Sequence, residues 1–250
     1  MKYQNAPISK VTLAVTFDSP KLLEDSKIWG FLHNKQSSNF KALVAEAPFP
    51  FEILDGRIYR QEVNTSVSGP ASYKIISDAE SLFYDLQFNR IALSWYRNDN
   101  MPVGNYPGFT YLFDELLKSM QVLNLPQEHN VTFEIIYIDV VPVDELGENL
   151  SELSKYINYK PPTISVFQDT CHANNIFSNF SFSIREELFG FLKIESVTMT
   201  SGAQGVQFAF MLFLKDKIHN FDKSFKEMHA IQIDTFENIF TEEIKKRWQL

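Results

Sequence analysis

The same order of elements occurs twice along this chain. In each half an alternating apolar segment comes first, a second apolar segment lies near the end, and a polar loop then leads into a helical stretch. The corresponding segments are separated by 120, 115 and 116 residues. A nearly constant offset over three elements is typical of two copies of one supersecondary unit. The paired segments begin at Val11 and Val131, at Ile91 and Val206, and at Tyr106 and Asp222.

The periodicity within each half predicts strands followed by a helix. Residues 206–214 are apolar on both faces, which is typical of a central strand. Before them, residues 179–188 and 191–199 flank Phe189-Gly190 and predict a hairpin. Both helical stretches have an apolar stripe, which indicates amphipathic helices packed on a sheet. The stripes are Phe109, Leu112, Leu116, Met120 and Leu123 in the first half, and Phe225, Met228, Ile231, Phe236, Ile239 and Phe240 in the second.

We therefore expect an α+β fold built from two related β-β-β-α units. Each unit contributes strands to a largely antiparallel sheet, and one long amphipathic helix packs against each unit. The first unit spans residues 1–126, with residues 21–70 as an insertion, and the second spans residues 127–250. The pattern leaves open whether the two units share one sheet or form two.

The charge of the chain is unevenly distributed. Of the formal net charge of −8, residues 126–250 carry −7, from 18 acidic and 11 basic side chains. This excess disfavours nucleic acid and anionic membranes as partners, because both require clustered positive charge. The longest apolar run, residues 206–214, is much shorter than a membrane span, and the first residues lack the apolar core of a signal peptide. The sequence therefore predicts a cytoplasmic protein without a membrane segment.

No motif in the chain indicates a cofactor or a metal site. The chain has a single cysteine, Cys171, and five histidines, so an internal disulfide is excluded and a structural zinc site is disfavoured. Phosphate-binding glycine loops, H-E-x-x-H zinc motifs and G-x-S-x-G nucleophile turns are all missing from the sequence. Asp234, Glu243 and Lys245 imitate the spacing of a metal-dependent nuclease, but they lie on predicted helices, where an exposed charged face is expected. We predict neither cofactor nor metal.

Four residues are candidates for a functional site. Cys171 and His172 form the only adjacent thiol–imidazole pair, but a nucleophilic cysteine needs a base that faces it, and chain neighbours usually point apart. His229 lies beside the apolar stripe of the last long helix, where it either bonds to the sheet or acts as a ligand or in proton transfer. Trp248 either folds back on its own helix or anchors in a pocket of a partner. The polar loop over residues 98–105 is expected to border such a partner surface.

Both ends of the chain carry short patterns that are shared with a known group of proteins. The patterns are Tyr3-x-Asn5-x-Pro7-Ile8 at the N-terminus, and His229, Phe236, Phe240, Thr241-Glu242-Glu243 and Trp248 at the C-terminus. These ends resemble those of a sporadically distributed, uncharacterised family of bacterial cytoplasmic proteins of about 250 residues. The resemblance covers the two termini and implies no activity, because the family has no assigned function.

The sequence favours a non-enzymatic cytoplasmic interaction or regulatory protein that acts through a protein partner. This hypothesis follows from the missing catalytic motifs and the acidic charge. By analogy, the sporadic distribution of the resembling family suits an accessory component, such as one of a defence or toxin–antitoxin locus. One alternative is a hydrolase or nuclease whose site cannot be recognised without the fold. A nucleic-acid-binding module is the other alternative.

Overall fold

The structure is a computed structural model of the chain. It describes residues 6–18, 25–36, 40–46, 51–54, 57–60, 72–77, 81–87, 89–97, 106–123, 129–145, 157–158, 177–199 and 201–249. In chain order the elements are β1 (Ile8–Phe17), α1 (Asp25–Gln36), β2 (Phe40–Glu46), β3 (Phe51–Leu54), β4 (Arg57–Arg60), β5 (Ser72–Ser77), β6 (Leu82–Gln87), β7 (Arg90–Tyr96), α2 (Phe109–Leu123), β8 (Asn130–Pro142), β9 (Phe177–Arg185), β10 (Leu188–Thr198), β11 (Gln204–Lys217), α3 (Phe221–Ile239) and α4 (Glu242–Trp248).

Nine of these strands form one continuous antiparallel sheet. Their order is β2-β5-β6-β7-β1-β8-β11-β10-β9, and β3 and β4 form a separate hairpin. Strands β1 and β8 lie in the middle, where Leu13 of β1 is opposite both Leu93 of β7 and Ile135 of β8. The fold is therefore α+β with an antiparallel sheet, as predicted. The strands of the two halves share one sheet, which decides the question that the sequence leaves open.

Outward from the β1–β8 pair, the first four strands on each side follow a corresponding order, and β2 lies beyond β5 on one side only. The order runs β1, β7, β6, β5 on one side and β8, β11, β10, β9 on the other. Helix α2 follows β7 and packs on β7 and β1, whereas α3 follows β11 and packs on β11 and β8. The two helices contact each other, with the Phe113 ring 5.2 Å from the ring of Phe221. Both helices therefore cover the same side of the sheet, which we call the helix face.

The main core lies between the helix face and these two helices. Alternate residues of β1 point towards it, and Val11, Leu13 and Val15 are fully buried there. Helix α3 places Phe225 and Met228 against them, also fully buried. Each such side chain contributes roughly 1.5–3 kcal/mol through the area that it removes from water. None of the described helices is long and apolar enough to cross a membrane.

The hairpin of β9 and β10 turns at a different place from the one predicted. The turn residues are Glu186 and Glu187, whereas Phe189 and Gly190 lie inside β10. Gly190 packs closely there, because a Cβ at this position would lie 2.5 Å from the ring of Phe182 and would force that ring to shift. The prediction of a turn at Phe189-Gly190 was wrong because a glycine in a strand can mark close packing as well as a turn.

Candidate functional site

A groove of about 420 Å³ lies on the helix face at one end of the sheet. Strands β9 and β10 form one wall and α3 forms the other. Its apolar side chains come from both walls, and its polar side chains come from α3 and from a residue that precedes β9. The lining residues are Phe180, Leu192, Ile194 and Ile239, together with Asn158, Asp234, Thr235 and Asn238.

The strand beside this groove exposes large apolar side chains. Six large hydrophobic residues are exposed in the described part of the chain, and three of them belong to β9. Phe177 is 70% exposed, Ile184 is 48% exposed and Phe180, which also lines the groove, is 39% exposed. Strand β9 contains no proline and no charged residue before Arg185. Natural proteins usually protect the outer strands of a sheet with such residues, so β9 has the features of a contact surface.

Two contacts hold the walls of the groove in place: a ring stack between β9 and β11, and an ion pair between β9 and α3. The ring of Phe182 stacks on Phe210 at 5.6 Å and an interplanar angle of 11°. At the end of β9, the guanidinium of Arg185 donates to both carboxylate oxygens of Glu227 on α3. The groove is therefore preformed between a fixed strand and a fixed helix, as ligand sites usually are.

The polar side chains of the groove present hydrogen-bond acceptors. The amide nitrogen of Asn158 donates to the Asn238 carbonyl at 2.7 Å, and that of Asn238 donates to the Asp234 carbonyl at 2.8 Å. The hydroxyl of Thr235 donates to the Ile231 carbonyl at 2.8 Å. One N–H of each amide and the hydroxyl hydrogen are thus engaged with the backbone, whereas both amide oxygens remain as acceptors. The carboxylate of Asp234 is exposed and has no hydrogen-bond or ion-pair partner among the described residues.

His229 belongs to a second polar cluster, on the seam between α2 and α3. Its Nδ1 lies 3.4 Å from the Tyr137 hydroxyl, which in turn lies 3.1 Å from the Tyr106 hydroxyl. The ring of Phe109 stacks on the imidazole at 3.8 Å. Burial lowers the pKa of His229 to about 4, so the imidazole is neutral at pH 7. A hydrogen-bonded chain of this kind can move a proton, but it can equally fix the two helices on the sheet.

Asp139 lies two residues beyond Tyr137 on β8 and is 6% exposed. Burial raises its pKa to about 7, and the positive charge of Arg97 acts in the opposite direction. One of its carboxylate oxygens has no hydrogen-bond partner. Asp139 is the most strongly perturbed acid among the described residues, but it has no direct hydrogen bond to His229.

A buried ion pair lies on the opposite face of the sheet. Arg90 of β7 donates to Glu134 of β8 through Nε at 3.2 Å and through a terminal nitrogen at 2.9 Å. Asp85 of β6 lies 3.8 Å from the same guanidinium, and the Thr16 hydroxyl donates to Glu134. Asp85 and Glu134 are strand-borne carboxylates that the sequence did not reveal, because they lie on different strands of the sheet. Arg90 lies between them, and no group of three or more His, Cys, Asp or Glu side chains in the described ranges could hold a metal ion.

The remaining candidates from the sequence lie elsewhere. Trp248 is 3% exposed and packs on Phe236 and Phe240, and its Nε1 donates to Glu145 at 3.3 Å. A partner could use this indole only after displacing it. The Cys171-His172 pair and the loop over residues 98–105 lie outside the described residues. Comparison of the chain with protein-family models, with curated proteins and with solved structures finds no match.

Sequence reasoning did not find the groove. Asn158 and Asn238 are 80 residues apart and meet only because residue 157 bridges to Phe240. One signal was available in the sequence. The segment of β9 is rich in aromatic residues and has no charge until its last residue, which is unusual for an outer strand.

Proposed function

We propose that the chain is a non-enzymatic recognition protein that binds a segment of a protein partner in the groove between α3, β9 and β10. The groove itself carries the proposal, because it combines an apolar floor with unused acceptors and adjoins the exposed side chains of β9. Concave apolar sites with a few placed polar groups are the usual ligand sites of proteins. The exposed Ile184 extends the apolar surface along β9 beyond Phe180, which favours a protein segment over a small molecule as the occupant. Phe177 does not contribute to this surface, because it is paired with Glu195 on the opposite face of the sheet, where Lys193 lies over its ring.

The test compares two variants of α3 that differ only in position. Thr235→Trp places an indole in the groove, whereas Ile233→Trp places one about 200° around the helix from it. Ile233 is 51% exposed, so Ile233→Trp is expected to fold like the natural protein. Thr235 is half-buried, so the melting temperature of Thr235→Trp is measured alongside to show that it folds as well. Partner capture from the native host should be lost with Thr235→Trp and retained with Ile233→Trp. Equal capture by both variants, with equal melting temperatures, would show that the groove is not the binding site.

We also propose a cytoplasmic location and an accessory role in bacteria, of the defence or toxin–antitoxin kind. The acidic composition, the single cysteine and the likeness of both termini to a sporadically distributed bacterial family support this. Genes that lie beside this one in several genomes would identify the partner. A different set of neighbours in every genome would count against an accessory role.

The two halves are proposed to be copies of one unit, with residues 1–126 and 127–250 as the two copies. The mirrored strand order and the equivalent positions of α2 and α3 support this proposal. A rotation of 180° about an axis through the β1–β8 pair would exchange both the strands and the helices. An experimental structure in which that rotation left α2 and α3 unmatched would contradict duplication.

A hydrolase or nuclease is the second candidate, and the cluster of Tyr106, Tyr137 and His229 is what favours it. A neutral imidazole on a buried tyrosine can act as a proton acceptor. Under the recognition proposal, a panel of hydrolase and nuclease substrates with magnesium or manganese should give no turnover. Turnover that is abolished by His229→Phe, with folding and partner capture unchanged, would establish the enzyme instead.

A further inference from the structure

We infer that the partner segment inserts an arginine side chain into the groove, an inference that rests on the proposed function. The first argument comes from the hydrogen bonds of the groove. Its side-chain amide nitrogens and its hydroxyl hydrogen are engaged by carbonyl oxygens of the chain itself. A ligand that accepts hydrogen bonds would find one remaining N–H on each of the two amides, whereas a ligand that donates would meet both oxygens of the Asp234 carboxylate and two amide oxygens. Acceptors therefore outnumber free donors in the groove.

The second argument comes from charge. Asp234 has no cation beside it among the described residues, and residues 126–250 carry a formal charge of −7. A cationic side chain of the partner would pair with this exposed carboxylate. A second copy of this chain is a poor occupant for the same reason, because each copy carries −8 and would bring the same acidic groove.

The shape and polarity of the groove favour arginine over lysine. Leu192, Ile194 and Ile239 line it with aliphatic surface, so the cation would lose part of its hydration on entry. A guanidinium is less strongly hydrated than an ammonium and offers five donors in a plane. It can pair with both oxygens of Asp234 while its methylene stem covers the aliphatic wall. The apolar residues of the partner segment would then lie along β9.

The inference is tested with synthetic peptides and the full-length chain. The probes are nine-residue extended peptides with leucine on both sides of a central arginine, lysine, citrulline or glutamate. Binding is followed by fluorescence anisotropy and by the side-chain amide resonances of Asn158 and Asn238. The arginine peptide should bind best and shift both resonances. Citrulline, which keeps the shape without the charge, should bind at least about tenfold more weakly, because it loses the charge-assisted hydrogen bonds to Asp234.

Matched variants on α3 distinguish binding in the groove from non-specific attraction of the peptide to an acidic surface. Asp234→Asn should weaken the arginine peptide about tenfold or more, whereas Asp222→Asn makes the same change of charge at an exposed site and should leave binding unchanged. Asp234→Arg should exchange the preference, so that the glutamate peptide binds and the arginine peptide does not. Equal binding of arginine and citrulline peptides, or equal loss with both asparagine variants, would overturn the inference.

The two proposals fail in different ways. If no peptide binds but partner capture still depends on Thr235, the arginine inference is wrong and the recognition site stands. If capture is independent of Thr235, the recognition site itself is wrong. Dimerisation that is abolished by Thr235→Trp in sedimentation would identify a second copy as the occupant and overturn the arginine inference.

Discussion

At the scale of single residues, the sheet buries charges that must be satisfied within the protein. Arg90 is 5% exposed and Glu134 is 3% exposed, and together they join β7 and β8 across β1. Desolvation offsets much of the attraction in such a pair, so its effect on stability is small while it is intact. Its effect on strand alignment is larger, because only one register places the guanidinium opposite the carboxylate.

We expect Glu134→Gln to lower the free energy of unfolding by about 3–5 kcal/mol, because it leaves the guanidinium of Arg90 buried without its main counter-charge. The exposed pair of Arg185 and Glu227 is the control, and Glu227→Gln should cost at most about 1 kcal/mol. Denaturant titrations of both variants measure the difference. Similar losses in the two variants would mean that water reaches the buried pair.

Asp139 predicts a dependence of stability on pH. Its pKa is about 7 in the folded chain, and an aspartate in an unfolded chain titrates near 4. Between these values the folded state holds a proton on Asp139 that the unfolded state has released, so the contribution of Asp139 to stability falls as the pH rises from about 4 to 7.

Asp139→Asn removes this ionisation, so the variant should gain stability relative to the natural protein between pH 5 and pH 8, by roughly 1–4 kcal/mol. Thermal melts at the two pH values measure this gain. The exposed Asp222→Asn should show no comparable gain. If the difference in stability between Asp139→Asn and the natural protein stays constant between pH 5 and pH 8, Asp139 does not titrate in this range.

At the scale of the elements, the sequence predicted the strands and helices best where their apolar pattern is strong. The stripe of α2 predicted Leu112, Leu116 and Leu123 on its buried side, and the structure places them there. The prediction was less accurate where the role of a residue depends on a contact with another element. Gly190 could not be distinguished from a turn glycine, because the ring that lies over it comes from the neighbouring strand.

Helix α3 gives a prediction at this scale. Phe225 is fully buried and contacts Phe113 of α2 and Phe133 of β8, so it joins three elements. Phe225→Ala should lower the free energy of unfolding by about 3–5 kcal/mol through the cavity that it leaves. Ile233→Ala on the same helix should cost about 0.5 kcal/mol or less. A small loss with Phe225→Ala would show that the core closes around the missing ring.

At the scale of the whole molecule, the sequence predicted an antiparallel α+β fold but not the way in which the strands from the two parts of the chain meet. Nothing in the pattern of residues 11–17 indicates that β1 pairs with both β7 and β8. The groove was hidden for the same reason, since its walls come from segments that are distant in the chain. Local periodicity reports which face of an element is buried, whereas pairing depends on contacts between distant residues.

The shared sheet predicts how the halves behave when they are separated. Residues 1–126 and 127–250, expressed alone, would each expose one side of the β1–β8 pair and one side of the α2–α3 contact. Neither fragment should melt cooperatively, and mixing or co-expressing them should restore a cooperative transition. Calorimetry of the fragments and of the mixture is the measurement. A cooperative melt of either fragment alone would mean that the units are independent domains.

The central position of β1 also has a consequence for synthesis on the ribosome. The strand is made before both of its neighbours, because Leu93 and Ile135 follow Leu13 by about 80 and 120 residues. At roughly 5–20 residues per second, β1 waits on the order of 5–25 s for both partners. During that interval a central strand of the finished sheet is an unpaired apolar segment of a nascent chain. The yield of folded protein in cells should therefore depend on chaperones and on translation speed more than the stability of the finished fold suggests.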